Sequence, residues 1–187
     1  MIFKGFHGTS SENAQEIIND SFKPSKGNDE WLGKGVYFFT DGLGNPQYQA
    51  KDWAIAEAWD KRAKRMKYST FSIIESDISV DKERLIDLGT NEGQKLLSYI
   101  KEQFVNKLFS TGKAIKFVEG KLIDYVIGEK ILPIEVVKGN VFIAFKKDRI
   151  CKFRQRTPNC TICSVVDPSK NIKQSKLILT DEIPDLR

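Results

Sequence analysis

Apolar and other residues alternate over Ile2–Phe6 before the polar run Gly8-Thr9-Ser10-Ser11, a pattern that predicts a strand passing into a helix N-terminus, with Ser10 or Ser11 as N-cap. Ala14, Ile17 and Ile18 recur at helical spacing, and the helix they predict stops near Phe22-Lys23-Pro24, because proline lacks an N–H and restricts the residue before it. A polar loop follows, and then Trp31-Leu32-Gly33-Lys34-Gly35 leads into the β-rich run Val36-Tyr37-Phe38-Phe39, a second strand. Residues 41–46 are a loop by their Gly, Asn and Pro content, and Ala50, Trp53, Ala54 and Ala58 predict a helix from Gln47 to about Lys67.

Farther along, the pattern predicts a strand over Phe71–Ile78 and an amphipathic helix over Asn91–Leu108. Four more strands are predicted, over Ile131–Val137, Val141–Phe145, Thr161–Val166 and Leu177–Leu179. The expected class is α+β, mostly antiparallel strands flanked by helices, in one domain over residues 1–180 with a loose tail over 181–187.

With 187 residues, 40% of them hydrophobic and 29% charged, the chain can bury a substantial core and is neither disordered nor fibrous in composition. No run reaches the roughly 18–20 apolar residues of a membrane span, and the first ten residues lack the layout of a secretion signal, so a cytoplasmic protein without a membrane partner is expected. The cysteines number three, an odd count that does not suit a disulfide framework. Cys160-x-x-Cys163, with Cys151 and His7, has the donor types of a zinc site, but side chains three apart on a strand face opposite ways, so buried core thiols and no metal are expected.

The formal charge of +5 is modest, and its distribution says more. Residues 60–67 (DKRAKRMK) and 146–156 (KKDRICKFRQR) hold most of the excess. They would form a phosphate-facing surface if the fold brings them together, and two solvated faces if it does not.

His7 is the only histidine, at the exit of the first strand and just before a helix start. His7-Gly8-Thr9 offers an imidazole, an unobstructed backbone and a hydroxyl within a few residues, which suits a ligand carrying hydroxyls and a carboxamide. Phe6-His7-Gly8-Thr9 and Gly33-Lys34-Gly35-Val36-Tyr37-Phe38, in that order and at that separation, resemble two motifs of the His-Tyr-Glu ADP-ribosyltransferases, the class of diphtheria-type toxins and poly(ADP-ribose) polymerases. The alanine-bearing helix after the second motif resembles that of bacterial and phage members, and the resemblance is firm over about residues 1–60.

The resemblance implies a split antiparallel sheet and NAD as co-substrate. His7 would bond the adenosine ribose, Gly8 the nicotinamide carboxamide through its backbone, and Thr9 would brace the strand. Tyr37 would stack on the nicotinamide, and Gly35 would be a further residue binding NAD. The third motif of the class, a glutamate opening a late strand, is missing from Cys160–Val166 and from the loop before it. Thr161 takes its position, with Gln155 as second choice, and Glu119, Glu129 and Glu135 are earlier carboxylates that spacing does not choose between. Arg154, Gln155 and Arg156 occupy the loop where the class recognises its acceptor.

The function implied is mono-ADP-ribosylation of a nucleic acid or a protein by a toxin or antiviral defence effector, with an antitoxin as a further partner. The rivals are an NAD glycohydrolase and a non-catalytic module binding NAD or nucleic acid. A Rossmann site is excluded, because Gly33-Lys34-Gly35 lacks the third glycine and precedes a strand instead of opening a helix. For Trp31, Trp53 and Trp59 core or hinge packing is the expected role.

Overall fold

A computed structural model describes residues 1–25, 27, 30–108, 118–152 and 156–184. The chain opens with β1 (Ile2–Ser10) and α1 (Ser11–Asn19), then β2 (Val36–Thr40) and α2 (Pro46–Glu57). A small hairpin, β3 (Trp59–Asp60) with β4 (Arg65–Met66), precedes β5 (Thr70–Ser79). Next come β6 (Leu85–Asp87), α3 (Asn91–Leu108), α4 (Val118–Gly128) and β7 (Val136–Val141). The order closes with α5 (Lys146–Cys151), β8 (Cys160–Val165), α6 (Pro168–Asn171) and β9 (Ile172–Glu182). Seven strands form one mixed sheet in the order β6-β7-β8-β2-β1-β5-β9, with β6 and β7 parallel and the other neighbours antiparallel.

Period-two alternation sends the side chains of this sheet to two cores. Phe39, Phe71, Ile73, Val137 and Ile162 face the larger one, built with α2, α3 and α4 through Ala54, Ile100 and Ile123. Val36, Phe38, Ile74, Ile78 and Val165 face the other, closed by Ala14 of α1 and by Phe22. The class is therefore α+β, a large mixed sheet with helices on its faces.

Ser10 caps α1, accepting the N–H of Asn13 at 3.2 Å. Asn45 caps α2, accepting from Gln47 and Tyr48 at 3.0 and 3.1 Å, with Pro46 in the first turn where its missing N–H costs nothing. Ala50, Ala54 and Ala58 are fully buried, so α2 lies close on the sheet.

The helix expected to reach Lys67 ends at Glu57 instead. The carbonyls of its last turn find partners outside the helix. Tyr68 Oη donates to Ala54 O at 2.5 Å, Arg149 Nη1 to Ala56 O at 3.0 Å and Lys67 N to Ala58 O at 2.7 Å. Asp60 then turns the hairpin by accepting the N–H groups of Arg62 and Ala63, and Lys64 takes a left-handed φ of 51°.

The second half also departs from the pattern reading. Residues 131–135 lie outside β7, which runs from Val136 to Val141, and 142–145 lead into α5 instead of forming a strand. The last strand is longer than Leu177–Leu179 suggests, and it draws Asp181 and Glu182 of the expected tail into pairing with Phe71 and Thr70. Among the described residues no helix is long and apolar enough to cross a membrane.

Candidate functional site where two strands part

The two motif strands are neighbours, but they pair only briefly. Gly5 is opposite Thr40 and Phe6 opposite Phe39, and the ladder stops there. Beyond that point β1 stays paired with β5 as far as Ser10↔Phe71, while β2 pairs with β8 from Phe39↔Ile162 to Val36↔Val165. The sheet opens between positions 7–10 of one strand and 36–38 of the other.

His7 spans the start of this opening. Its Nδ1 lies 2.8 Å from the carbonyl oxygen of Tyr37. A carbonyl only accepts, so Nδ1 carries the proton and Nε2 of the neutral ring keeps its lone pair. Burial lowers the His7 pKa below its ordinary value, opposed by the bond to Tyr37 O, so the ring is neutral at physiological pH. Phe22 and Phe38 meet it edge-on, with centroids at 5.3 and 5.8 Å. Nε2 can thus accept a hydrogen bond from a ligand hydroxyl.

Tyr37 points the other way. It shares its sheet face with Phe39 and belongs to the larger core, whereas His7 packs on Phe38 in the smaller one. Imidazole and phenol therefore lie on opposite faces at the place where the strands part, and a ligand touching both must cross the opening. The Tyr37 hydroxyl donates to Gly33 O at 2.7 Å and accepts the N–H of Leu32 at 2.8 Å, and burial pushes its pKa well above the usual phenol range. Its ring meets Trp31 edge-on at 6.4 Å.

Loop 30–35 is held from α4, a helix absent from the pattern reading. Asp124 Oδ1 accepts the Lys34 N–H at 2.6 Å, and a Cβ on Gly120 would come within 2.0 Å of Glu30 O. Gly120 and Asp124 are four apart on one helix face, the spacing that could have marked a contact surface. Gly33 has φ +81°, where a side chain is strained, and Gly35 admits Ser164 Oγ, which a Cβ would meet at 2.3 Å.

Gly8 is needed for a different contact from the one expected. Its missing Cβ makes room for α2, since a Cβ there would stand 1.9 Å from Ala50 O. Thr9 accepts from Asn13 Nδ2 at 3.4 Å and so braces the strand-to-helix corner.

Thr161, at the third-motif position, also departs from expectation. It is buried, donates to Asn140 Oδ1 at 2.7 Å and accepts the Leu43 N–H at 2.8 Å. With donor and acceptor both engaged, its hydroxyl anchors the loop after β2 instead of facing a ligand. Gln49 ties the same loop to β8, donating to Leu43 O and Asn159 O at 2.7 and 3.0 Å. Asn159 is occupied as well, accepting from Ile143 N at 2.9 Å and donating to Ile143 O at 3.0 Å. Arg154 and Gln155 lie outside the described residues, and Arg156 is exposed.

Of the earlier carboxylates, Glu135 is buried among Arg84, Lys170 and Asn171. Burial works to raise its pKa, but the bonds from Lys170, Asn171 and Arg84 outweigh it and hold it at about 2. Glu119 lies in the first turn of α4 and Glu129 just past its end. Cys160 packs in the larger core and Cys163 in the smaller, on opposite faces of β8, and burial pushes both thiols up to about 12.

No family model matches the chain. It is 27% identical over 172 residues to the uncharacterized protein MJ0359 of Methanocaldococcus jannaschii, a similarity covering 83% of this chain and 76% of that one.

Proposed function

We propose that the protein is an NAD-dependent mono-ADP-ribosyltransferase with an ADP-ribosyltransferase-like split sheet, and that the opening between β1 and β2 receives the dinucleotide. The observation that carries this reading is the His7 Nδ1 to Tyr37 O contact at 2.8 Å, at the point where the two motif strands stop pairing. It joins the His-Gly-Thr strand to the Gly-Lys-Gly-Val-Tyr-Phe strand and leaves Nε2 as an acceptor for a ribose hydroxyl. Backbone groups of Gly8 and Thr9 border the opening on one side. The Tyr37 ring borders it on the other, where contact with the cationic nicotinamide is worth about 0.5–2 kcal/mol.

In the reaction the bond from the ribose anomeric carbon to the nicotinamide nitrogen breaks, and its electron pair leaves with nicotinamide. The sugar passes through an oxocarbenium-like state, and an acceptor lone pair then bonds the anomeric carbon while the acceptor's proton goes to solvent. Thr161, the first candidate at the third-motif position, has its hydroxyl engaged by Asn140 and Leu43, and neither it nor Gln155, the second candidate, is a strong base. The chemistry therefore favours a single transfer to an acceptor that is already nucleophilic, such as a base nitrogen of RNA or DNA or a protein side chain. An effector of this kind, a toxin or an antiviral defence protein, would be held in check by an antitoxin.

Incubation of the purified chain with labelled NAD and separate pools of RNA, DNA and cell protein tests the proposal. Label in one pool, lost in His7→Ala and Tyr37→Ala, is the expected result. Free ADP-ribose without labelled acceptor would instead make the protein a glycohydrolase, and intact NAD a binding module.

A further inference from the structure

The two basic runs, some eighty residues apart in sequence, line the same groove. It has a volume of about 900 Å3, and Trp59, Lys61 and Met66 of the β3–β4 hairpin line it together with Lys146 and Ile150 of α5 and with Ile183. Trp59 and Ile150 are exposed large apolar side chains, at 41% and 67%. None of His7, Gly8, Thr9, Tyr37 or Thr161 lines this groove.

Its charge is only partly compensated. Arg149 is held by Glu57 at 2.8 Å and Lys67 pairs with the same carboxylate at 3.6 Å. Lys61, Arg62, Lys64 and Arg65 on the hairpin, and Lys146, Lys147 and Lys152 on α5 and its cap, make no ion pair among the described residues. One acidic side chain, Glu182, lies on the lining.

We infer that this groove binds a single-stranded polynucleotide, its bases against Trp59 and the apolar floor and its phosphates on the lysines of the two walls. An exposed indole over an apolar floor suits a flat heterocycle, and every base has a face to stack. The cations run past the groove onto the hairpin tip through Arg62 and Lys64, as a chain of phosphates requires and a single nucleotide does not. A duplex keeps its base faces stacked away from Trp59, and an apolar peptide has no use for the unpaired cations.

The groove lies on the Tyr37 side of the sheet. Arg149 on its wall sits 5.3 Å from the Trp53 ring, Trp53 is 6.0 Å from Trp31, and Trp31 is 6.4 Å from Tyr37. A strand in the groove would be the acceptor, a role that rests on the transferase reading, whereas the binding does not.

Fluorescence anisotropy of labelled twelve-residue single-stranded RNA, single-stranded DNA and duplex, without NAD and between 50 and 200 mM NaCl, tests the inference on the full chain. Expected are tighter binding of single strands than of duplex and a fall of log affinity with log salt of about 0.7 per phosphate held. The RNA and DNA arms tell which polymer is preferred. Lys61→Glu with Lys146→Glu should weaken binding at least tenfold and flatten the salt dependence, and Trp59→Ala should weaken it about tenfold at unchanged salt slope. These side chains are at the surface, and thermal unfolding checks that each variant folds. No binding, duplex bound as well as single strands, or variants that bind like the parent would overturn the inference. His7→Ala should bind normally, so failure of NAD turnover and failure of this groove are read separately.

Discussion

Gly8 and Ala50 touch through backbone alone, since a Cβ on Gly8 would stand 1.9 Å from the Ala50 carbonyl oxygen. This contact sets how closely α2 lies on β1, and with it the position of the chain bordering the opening. Gly8→Ala must push the helix away or distort the strand, and we expect a loss of about 2–4 kcal/mol, or several degrees to about 15 °C in Tm. Thermal unfolding of the variant beside the parent measures it, and an unchanged Tm would show that the helix can move at no cost.

Tyr37→Phe separates the two tasks of that side chain. The hydroxyl that bridges Leu32 N and Gly33 O is lost while the ring remains. Stability should fall by about 1–2 kcal/mol in a denaturant titration, and NAD affinity by less than threefold. Tyr37→Ala should weaken NAD binding by about two- to thirtyfold, the worth of the lost ring contact, and calorimetry on both variants decides between a stacking ring and a structural staple.

His7 gives stability a pH dependence of definite sign. Its pKa is lowered by burial in the folded chain, so the unfolded chain binds the proton more readily. The contribution is complete above the ordinary value of 6.5 and shrinks as pH falls through that value toward the lowered folded one. His7→Gln should flatten this part of the stability profile between about pH 7 and 5, measured by urea unfolding at each pH. A profile identical to that of the parent would mean that the ring titrates freely.

Glu135 should prove structural. Replacement by Gln leaves Arg84 and Lys170 without their shared anion, at a cost of about 1–3 kcal/mol. In the parent, the stability it supplies is full above the unfolded carboxylate value and is lost as pH falls through about 2. NAD turnover per folded molecule should be unchanged in Glu135→Gln, and a hundredfold drop would instead place this carboxylate in the chemistry.

Local signals made much of the fold legible. Ser10 capping α1 and the β-rich run at Val36–Thr40 are short-range chemistry that the chain displays openly, and α2 starts at Pro46, one residue before the expected Gln47. The end of α2 was hidden because the groups that satisfy its carbonyls, above all Arg149, are remote in sequence. Helix α4 was missed although Leu122, Ile123 and Val126 recur at helical spacing, because the run is short and Gly120 and Gly128, poor helix formers, stand within it and at its end. At the site, His7 and Tyr37 stood out through their neighbours, but their opposite facing depends on strand register, which residue types alone do not reveal. The engagement of Thr161 by Asn140 and Leu43 depends likewise on which strand lies beside β8.

The place of β8 between β7 and β2 has a consequence for biosynthesis. Until residues 160–165 leave the ribosome, β6 and β7 on one side and β2, β1 and β5 on the other are separate fragments, each with a bare edge. β2 waits for a partner, β8, that lies far along the chain, and long-range pairing of this kind makes folding slow. The β2 side of the opening therefore gains its second neighbour late, after β8 has been made, and is framed only then.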